Sequence, residues 1–373
     1  ALSGVVYRVL RTVGIGAVAA PTDTEGAPPL GIGMLGAAKV SKWALLYPAR
    51  RLARHVRVLS VGARDADRAA ELAQRWRIPR SGDYASVLAD PEVEAVYIPL
   101  LNGLHYEWAH AALRARKHVL LEKPFTSNAD EARALARLAK QQGCVLAEAY
   151  HWRHHPLAAR LREVVRSGEL GTPLHLEVTT GLPTGDSLKA ALRRTFRLSR
   201  AAPSAKLDPA LGGGQFMGQG CYSVDLARFL LGEPERVLNA TAVEEAPGAD
   251  TAMEAHVQFA RGVTARLRST ALSVGFNMHL RCSRGGLSVT NFLFPWLYHT
   301  LRVAPDGQPA RTEQLYGGGE TTFELQLAAF EAAARGRSAF PTTPEDAVSN
   351  MALIDAIYEA SGLGKRPSRA RVG

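Results

Sequence analysis

Between residues 30 and 150, short apolar runs alternate with longer stretches in which apolar residues recur every three or four positions. Short apolar runs bounded by turn residues are typical of buried strands, and the longer spacing is typical of helices. The pattern predicts strands at residues 30–35, 56–63, 94–101, 118–124 and 144–150, with helices at 66–76, 105–117 and 128–143. Strands and helices in this order predict a doubly wound parallel sheet, the Rossmann arrangement.

Beyond residue 170 the pattern changes, because apolar and polar residues alternate one by one. Alternation of this kind indicates antiparallel strands with one covered and one more polar face. The strands are expected at residues 174–178, 252–260, 263–269 and 278–282, and helices at 322–337 and 343–364. The fold class is therefore α/β plus α+β. We expect a Rossmann domain over residues 30–150 and a second domain with an antiparallel sheet and C-terminal helices over 151–373.

Residues 1–29 differ from the rest of the chain. They carry Arg8 and Arg11, no acidic residue before Asp23, and the proline-rich run GAPPL, and the chain begins with Ala. A remnant of a targeting sequence and a plain N-terminal arm both fit this composition. The expected location is the cytoplasm or an organelle matrix.

The net charge of +10 raises the question of nucleic acid, but Lys and Arg are dispersed among acidic residues along the 373-residue chain. Nucleic-acid binding needs clustered basic residues, so we do not expect it. No run of 18 uninterrupted apolar residues is present, and a membrane span is not expected either. A small phosphorylated cofactor suits the basic charge better.

The sequence offers no persuasive metal or disulfide pattern. Three histidines lie together in HWRHH, without a carboxylate or cysteine at compatible spacing, and we expect no metal there. The three cysteines are too far apart for a zinc site and too few for a disulfide framework, which favours a reducing compartment. These residues are His151, His154 and His155, and Cys144, Cys221 and Cys282.

A glycine-rich stretch lies at the end of the first predicted strand. Gly31, Gly33 and Gly36 match the spacing G-x-G-x-x-G, but the first two fall inside the strand. The useful turn begins at Gly36, small Ala38 lets the backbone approach a pyrophosphate, and Ser41 lies where the next helix packs. The same sequence also fits a tight turn without a ligand. The residues expected to bind cofactor here are Gly36, Ala37, Ala38 and Lys39.

The second predicted strand ends in GARD, where an acidic residue that binds the adenine ribose often stands. Arg64 is suited to pair with a 2′-phosphate, which favours NADP over NAD. A solvated arginine at a strand end is the plainer interpretation. Asp65 next to it leaves NAD open.

The segment LLEKPF places Glu122 and Lys123 at the carboxyl end of a buried strand, where open parallel sheets bind ligands. A lysine at such a position is able to donate a hydrogen bond to a substrate oxygen and to stabilise the negative charge that develops on it. Lys123 is therefore the first candidate catalytic residue.

Several segments, in order and spacing, resemble the glucose-fructose oxidoreductase, inositol dehydrogenase and dihydrodiol dehydrogenase (Gfo/Idh/MocA) family, in its dihydrodiol and xylose dehydrogenase-like branch. The resemblance covers about residues 30–366. It implies a Rossmann domain, an antiparallel-sheet domain used for substrate and dimer contacts, and NAD or NADP as hydride carrier. The segments are GAAKVSKWA, VYIPLLNGLHYEWA, LLEKPF, AEAYHWRHHP, LGGGQFMGQGCYSVDLARFLLG and PTTPEDAVSNMALIDAIYEASG.

The resemblance also implies residue roles. Asn102 and His105 correspond to an N-x-x-H pattern beside the nicotinamide ribose, and Glu122 and Lys123 to cofactor and substrate contacts. Trp152, Arg153 and Tyr222 correspond to positions that line the substrate pocket.

GGGQFMGQGCY departs from the family pattern. Many relatives have a catalytic Asp where this chain has Gly218, and a catalytic His or Tyr where it has Tyr222. Beside Lys123, Tyr222 is expected to act as general acid or base, with its pKa lowered by the ammonium. Either another group replaces the missing carboxylate, with Asp208 and Asp225 as the candidates nearby in the sequence, or catalysis is weakened or lost.

These observations favour an NADP-preferring oxidoreductase, a homodimer, that moves a hydride between nicotinamide and a hydroxyl or keto group of a sugar, polyol or cyclic diol. The alternative is a catalytically impaired family member that serves as accessory subunit or cofactor sensor in a larger assembly. Gly218, the N-terminal arm and the basic tail GKRPSRARVG motivate that alternative.

Overall fold

The computed structural model describes residues 28–181, 205–272 and 275–369. The expected N-terminal arm lies outside these residues, apart from Pro28 and Pro29. Within them, a six-stranded sheet is followed along the chain by an eight-stranded sheet. The predicted fold class, a Rossmann domain followed by a domain built on a second sheet, is confirmed.

The first sheet is parallel and has the strand order β3-β2-β1-β4-β5-β6. The five predicted strands are present. The short strand β3 was not predicted, because its three residues are not apolar side chains. The bounds are β1 Leu30–Leu35, β2 Val56–Gly62, β3 Arg80–Gly82, β4 Ala95–Ile98, β5 His118–Leu121 and β6 Leu146–Glu148. All six residues of β1 are buried, as expected of a strand covered on both faces.

Helices connect these strands, and local sequence explains where they begin and end. The Asp65 carboxylate accepts hydrogen bonds from the Asp67 and Arg68 amides and so caps α2. Gly143, with φ of 64°, ends α5 as the sequence predicted. The bounds are a π-turn Lys42–Leu46 continuing into α1 Tyr47–Arg51, α2 Ala66–Trp76, α3 Tyr84–Ala89, α4 His105–Arg114 and α5 Ala129–Gln142.

The second sheet is mostly antiparallel and has the order β14-β13-β12-β11-β7-β10-β9-β8. The predicted antiparallel character is confirmed for this sheet, with one parallel pair, β7 with β10, that the sequence did not indicate. Sequence alternation missed β8, because register shifts break its period of two. The bounds are β7 Pro173–Gly181, β8 Pro234–Ala246, β9 Ala249–Phe259, β10 Thr264–Thr270, β11 Gly275–Cys282, β12 Gly285–Thr290, β13 Thr300–Pro305 and β14 Arg311–Glu313.

Four longer helices accompany the second sheet: α6 Pro156–Ser167, α7 Cys221–Leu231, α8 Thr322–Ala334 and α9 Pro344–Ala360. Phe323, Leu327 and Phe330 of α8 pack in the same apolar cluster as Leu30 and Ile32 of β1. A helix late in the chain therefore completes the core of the Rossmann domain. In the described part of the chain, none of the helices combines the length and apolar character that a membrane crossing needs.

The described part of the basic tail folds back onto the protein. Lys365 pairs with Asp130 at 2.6 Å, and Arg366, which is 2% exposed, pairs with Asp250 at 2.8 Å. The same Asp250 oxygen accepts a hydrogen bond from the Tyr358 hydroxyl of α9 at 2.8 Å. The tail as far as residue 369 thus contributes to the protein's own core.

Candidate active site

The turn after β1 begins where the sequence placed it. Gly31 and Gly33 lie inside the strand, and a Cβ on Gly31 would lie 2.2 Å from the Glu92 carbonyl oxygen. Gly36 has φ of 119°, a conformation that glycine adopts without strain. Ala37 and Ala38 are half-buried, Lys39 is exposed, and the turn leads into the segment that starts at the buried Ser41.

Arg64 and Asp65 have different surroundings at the end of β2. Asp65 is engaged as the cap of α2, whereas Arg64 is exposed and has no ion-pair partner among the described residues. Arg68, one turn along α2, donates a hydrogen bond to the Ala37 carbonyl oxygen at 3.3 Å. Arg68 thus connects α2 to the glycine turn, and no sequence motif predicted this contact.

Asn102 and His105 both contact backbone carbonyl oxygens of other loops. The Asn102 amide donates a hydrogen bond to the Gly212 carbonyl oxygen at 2.8 Å. The buried His105 ring lies between two carbonyl oxygens, with Nδ1 at 2.9 Å from Pro124 and Nε2 at 3.2 Å from Leu100. Burial lowers the pKa of His105 to about 4, so the ring is neutral at pH 7.

Glu122 directly follows β5 in a buried position, 9% exposed. Its Oε1 accepts a hydrogen bond from the Tyr97 hydroxyl at 2.7 Å, and its Oε2 accepts one from the Lys123 amide at 3.3 Å. Burial raises the pKa of Glu122, while the Lys123 ammonium and the Tyr97 hydroxyl oppose that change.

Lys123 and Tyr222 come together although 99 positions separate them in the sequence. The Lys123 ammonium lies 4.6 Å from the centroid of the Tyr222 ring, over its face. Tyr222, on α7, is 5% exposed, and its hydroxyl makes no hydrogen bond with any residue that the structure describes. Lys123, expected to stabilise negative charge, and Tyr222, expected to transfer a proton, are therefore neighbours in the fold.

One electrostatic expectation for this pair was wrong. Burial, reinforced by the Glu122 carboxylate, raises the pKa of Tyr222 well above 10. Loss of solvation around the phenolate outweighs the nearby cation, which lies over the ring face. The Tyr222 phenol is therefore protonated at neutral pH, the form that a proton donor requires.

Gly218 contacts Lys123 through its backbone. Its carbonyl oxygen accepts a hydrogen bond from the Lys123 ammonium at 2.6 Å. Gly218 lies in a π-helical turn, Phe216–Gly220, that runs into α7. A Cβ added to Gly218 would have no atom of the described residues within 4 Å, apart from the helix's own backbone.

Neither candidate replacement for the missing carboxylate reaches Lys123. Asp225 is fully buried and accepts hydrogen bonds from Trp152, Arg153 and Asn350. Asp208 accepts a hydrogen bond from the Ala210 amide and caps a short turn. The neutral Gly218 carbonyl is the group that contacts the ammonium in their place.

Trp152 and Arg153 lie in a buried polar network rather than against Lys123. The Trp152 indole, 1% exposed, donates to Asp225 at 2.8 Å. The Arg153 guanidinium, with a side chain 6% exposed, pairs with both Asp225 and Asp346. The structure thus gives both side chains partners within the protein, and their pocket role stays a prediction.

The three neighbouring histidines have separate environments. His151 lies 2.8 Å from the Thr322 hydroxyl, His154 packs on Phe340, and His155 caps α6. Burial lowers the pKa of each, to about 3 for His154 and about 4 for His155. Within residues 28–181, 205–272 and 275–369, no group of three or more His, Cys, Asp or Glu side chains is arranged to hold a metal ion.

Gln219 is a polar residue beside this site that motif reasoning missed. It follows Gly218 in the π-turn and is partly buried. Its Oε1 is buried and has no hydrogen-bond partner among the described residues. A glutamine is common on protein surfaces, so the sequence did not single it out. Only the fold shows that its side-chain oxygen is buried.

The fold and site define a two-domain protein whose Rossmann domain supplies a lysine and whose second domain supplies a tyrosine beside it. Comparison with known proteins gives the family. Residues 30–150 match the model of an oxidoreductase family with NAD-binding Rossmann fold, and residues 158–288 match the GFO/IDH/MocA C-terminal domain. The chain belongs to this GFO/IDH/MocA oxidoreductase family.

Similar proteins include a xylose dehydrogenase and a dihydrodiol dehydrogenase, in agreement with the predicted branch of the family. The chain is 34% identical over 336 residues to D-xylose 1-dehydrogenase (NADP(+)) 2 of Haloferax volcanii, covering 89% of this chain and 97% of that protein. It is 32% identical over 209 residues to trans-1,2-dihydrobenzene-1,2-diol dehydrogenase of Mus musculus, covering 55% and 58%. A 3-ketoreductase of Actinomadura kijaniata, solved with NADP and TDP-benzene, shares the fold with a TM-score of 0.78, 24% identity and coverage of 89% and 98%.

Proposed function

We propose that this protein is an NADP-preferring oxidoreductase that exchanges a hydride between nicotinamide and the carbon bearing a hydroxyl or keto group in a sugar, polyol or cyclic diol. The observation that carries the proposal is the contact between the Lys123 ammonium and the Tyr222 ring at 4.6 Å. The family and the activities for which its relatives are named support the reaction class.

Lys123 and Tyr222 divide the work on the substrate oxygen. An ammonium has three N–H donors, and one is engaged by Gly218, so two remain for a ligand. The positive charge of the Lys123 ammonium stabilises the negative charge that develops on the substrate oxygen. In reduction, the protonated Tyr222 phenol gives its proton to that oxygen, and the phenolate then takes up a proton from solvent.

The residues around the glycine turn fit a dinucleotide. Gly36 turns the chain at the carboxyl end of β1 with φ of 119°, where a Cβ would lie 2.8 Å from the Leu100 side chain, and Ala37 and Ala38 keep the turn small. Bound there, NADP supplies or accepts the hydride. Asn102 and Glu122 lie at the ends of neighbouring strands and are proposed to border the nicotinamide side.

Arg64 is the proposed determinant of NADP preference. It is exposed and unpaired among the described residues, while the acidic side chain beside it, Asp65, is engaged by two helix amides. A planar guanidinium binds a phosphate through two parallel hydrogen bonds. The 2′-phosphate of NADP is the group that this position suits.

A titration with NADPH and NADH, followed by nicotinamide fluorescence, tests cofactor binding. We expect tight NADPH binding, at least tenfold weaker NADH binding, and loss of the difference in Arg64→Ala. Arg75→Ala is the matched control, since Arg75 also lies at the surface and pairs with Glu71 within α2. If the wild-type protein binds neither nucleotide, the oxidoreductase proposal fails.

We also propose that the protein is a homodimer through the outer face of the second sheet. The resemblance supports this, as do exposed apolar side chains on β7 and β8: Leu174, Leu238 and Val243. Analytical ultracentrifugation at micromolar concentration is expected to give a mass near twice 40.1 kDa. A monomeric mass would overturn this part of the proposal.

A further inference from the structure

Lys123 has no carboxylate as an ion-pair partner among the described residues. Its ammonium contacts the neutral Gly218 carbonyl and the Tyr222 ring. The neighbouring Glu122 directs its oxygens to the Tyr97 hydroxyl and to the Lys123 backbone amide. A partly buried cation without an anionic partner favours a ligand that brings one.

The space beside Gly218 is open, and it adjoins that cation. Among residues 28–181, 205–272 and 275–369, a Cβ on Gly218 meets nothing within 4 Å, whereas a Cβ on Gly214 would lie 2.2 Å from Asp250 Oδ1 and one on Gly220 would lie 2.2 Å from Phe216. The close-packed neighbours show that the opening is local to Gly218. The Lys123 ammonium lies more than 4 Å from that Cβ position but bonds to the carbonyl oxygen of the same residue at 2.6 Å, so we expect a carboxylate in this space to reach the positive charge.

Gln219 adds a second recognition element. Its buried Oε1 has no partner within the described chain, and an unpaired buried acceptor is costly unless a ligand supplies a donor. A hydroxyl group is such a donor. One ligand that satisfies both positions carries a carboxylate for Lys123 and a hydroxyl for Gln219.

We propose that the substrate of this site is a polyhydroxy carboxylate, a sugar acid of the uronate or aldonate class, whose carboxylate occupies the space beside Gly218 and pairs with Lys123. The inference rests on the proposed function. The carboxylate takes no part in bond making. Since one Lys123 N–H is engaged by Gly218, one of the others holds the carboxylate and the third is left for the reacting oxygen.

Calorimetric binding to the NADP-loaded protein tests this with two matched pairs of probes, D-galacturonate against D-galactose and D-gluconate against D-glucitol. Within each pair the acid replaces a primary alcohol by a carboxylate. We expect the wild-type protein to bind each acid at least tenfold more tightly than its neutral partner. Raising the salt concentration is expected to weaken only the acids.

Two variants at one position separate charge from volume. Gly218→Asp places a carboxylate beside Lys123, so acid binding falls at least tenfold and the preference reverses toward the neutral sugar. Gly218→Asn fills the same space without charge, so acid binding falls while the preference does not reverse. Gln219→Leu is expected to weaken both members of each pair about equally.

Three results would overturn the inference: equal binding within each pair, tighter binding of the neutral sugars, or binding of none of the four probes. Failure of the proposed function looks different, because the protein then fails to bind NADP in the preceding titration. Unchanged acid binding in Gly218→Asp would likewise remove the carboxylate from the space beside Gly218.

Discussion

The Lys123 ammonium donates a hydrogen bond to the backbone carbonyl of Gly218 at 2.6 Å, across the junction of the two domains. A backbone carbonyl orients the ammonium without neutralising it, so the positive charge stays available to a ligand. The arrangement answers the question raised by the missing Asp. The main chain of the π-turn positions Lys123, and the Lys123 ammonium keeps its positive charge available for catalysis.

Lys123→Met keeps the length of the side chain and removes its charge and donors. We expect kcat/KM to fall by roughly 10²–10³, the loss typical when a donor to a developing oxyanion is removed. The measurement is the steady-state rate on whichever sugar the wild-type protein turns over. Lys117→Met is the control, because Lys117 donates to the Asp90 carbonyl away from Tyr222. A Lys123→Met rate within threefold of wild type would contradict the assigned role.

Tyr222→Phe retains the aromatic ring beneath Lys123 and removes the proton donor. We expect kcat to fall by roughly 10²–10⁴. The free energy of unfolding should change by less than about 1 kcal/mol, because the hydroxyl has no hydrogen bond to lose among the described residues. Activity and urea unfolding are measured on the same preparations.

Tyr358→Phe is the control for Tyr222→Phe, because it removes a tyrosine hydroxyl that has a structural role. Its hydroxyl bonds to Asp250 and accepts from the Met217 amide in the core, so its removal should cost about 1–3 kcal/mol of stability with kcat little changed. If both variants lose stability and activity together, Tyr222 is a packing residue and its proton-donor role falls.

Arg153→Met distinguishes a pocket role from a role in the buried network. Removing the guanidinium leaves Asp225, which is fully buried, without its cation. We expect the free energy of unfolding to fall by about 3–5 kcal/mol, while KM measured at 20 °C stays within about threefold of wild type. Arg160→Met, which breaks a more exposed pair with Glu313, should cost no more than about 1 kcal/mol. A tenfold rise in KM with unchanged stability would instead support the pocket assignment.

Much of the fold could be predicted because its signals are local. The helix Ala66–Trp76 and the strand Leu30–Leu35 have the predicted bounds, since a capping Asp65 and an unbroken apolar run mark them. The strand Pro234–Ala246 was missed because bulges shift its register. The parallel pairing of β7 with β10 also escaped, since alternation reports which face is buried and not the direction of the neighbouring strand.

The candidate site divides in the same way. The pairing of Lys123 with Tyr222 followed from recognisable segments, and the position of the glycine turn followed from the strand that precedes it. The pairing of Arg153 with Asp225 joins residues 72 positions apart, and no local pattern reports it. The pKa of Tyr222 depends on burial by the whole fold, so the nearby lysine alone gave the wrong direction.

Buried neutral histidines make stability depend on pH, and His154 gives the sharpest test. Its pKa is lowered from 6.5 to about 3 by burial, with Arg153 adding to the effect. The folded protein therefore keeps His154 neutral where the unfolded chain binds a proton. Its contribution is present above pH 6.5 and is lost progressively as the pH falls toward 3.

Comparison of wild type with His154→Leu isolates this contribution from the buried carboxyls. Asp355, for example, has its pKa raised to about 6 by burial, so its own contribution is present below pH 3.8 and is lost as the pH rises through about 6. Between pH 7 and pH 5 we expect the wild-type protein to lose about 2 kcal/mol of stability relative to His154→Leu. Urea unfolding at both pH values measures the gap, and the exposed His110→Leu controls for loss of any histidine. A gap that stays constant with pH would mean that His154 takes up a proton in the folded protein, and that its packing against Phe340 does not keep the ring neutral.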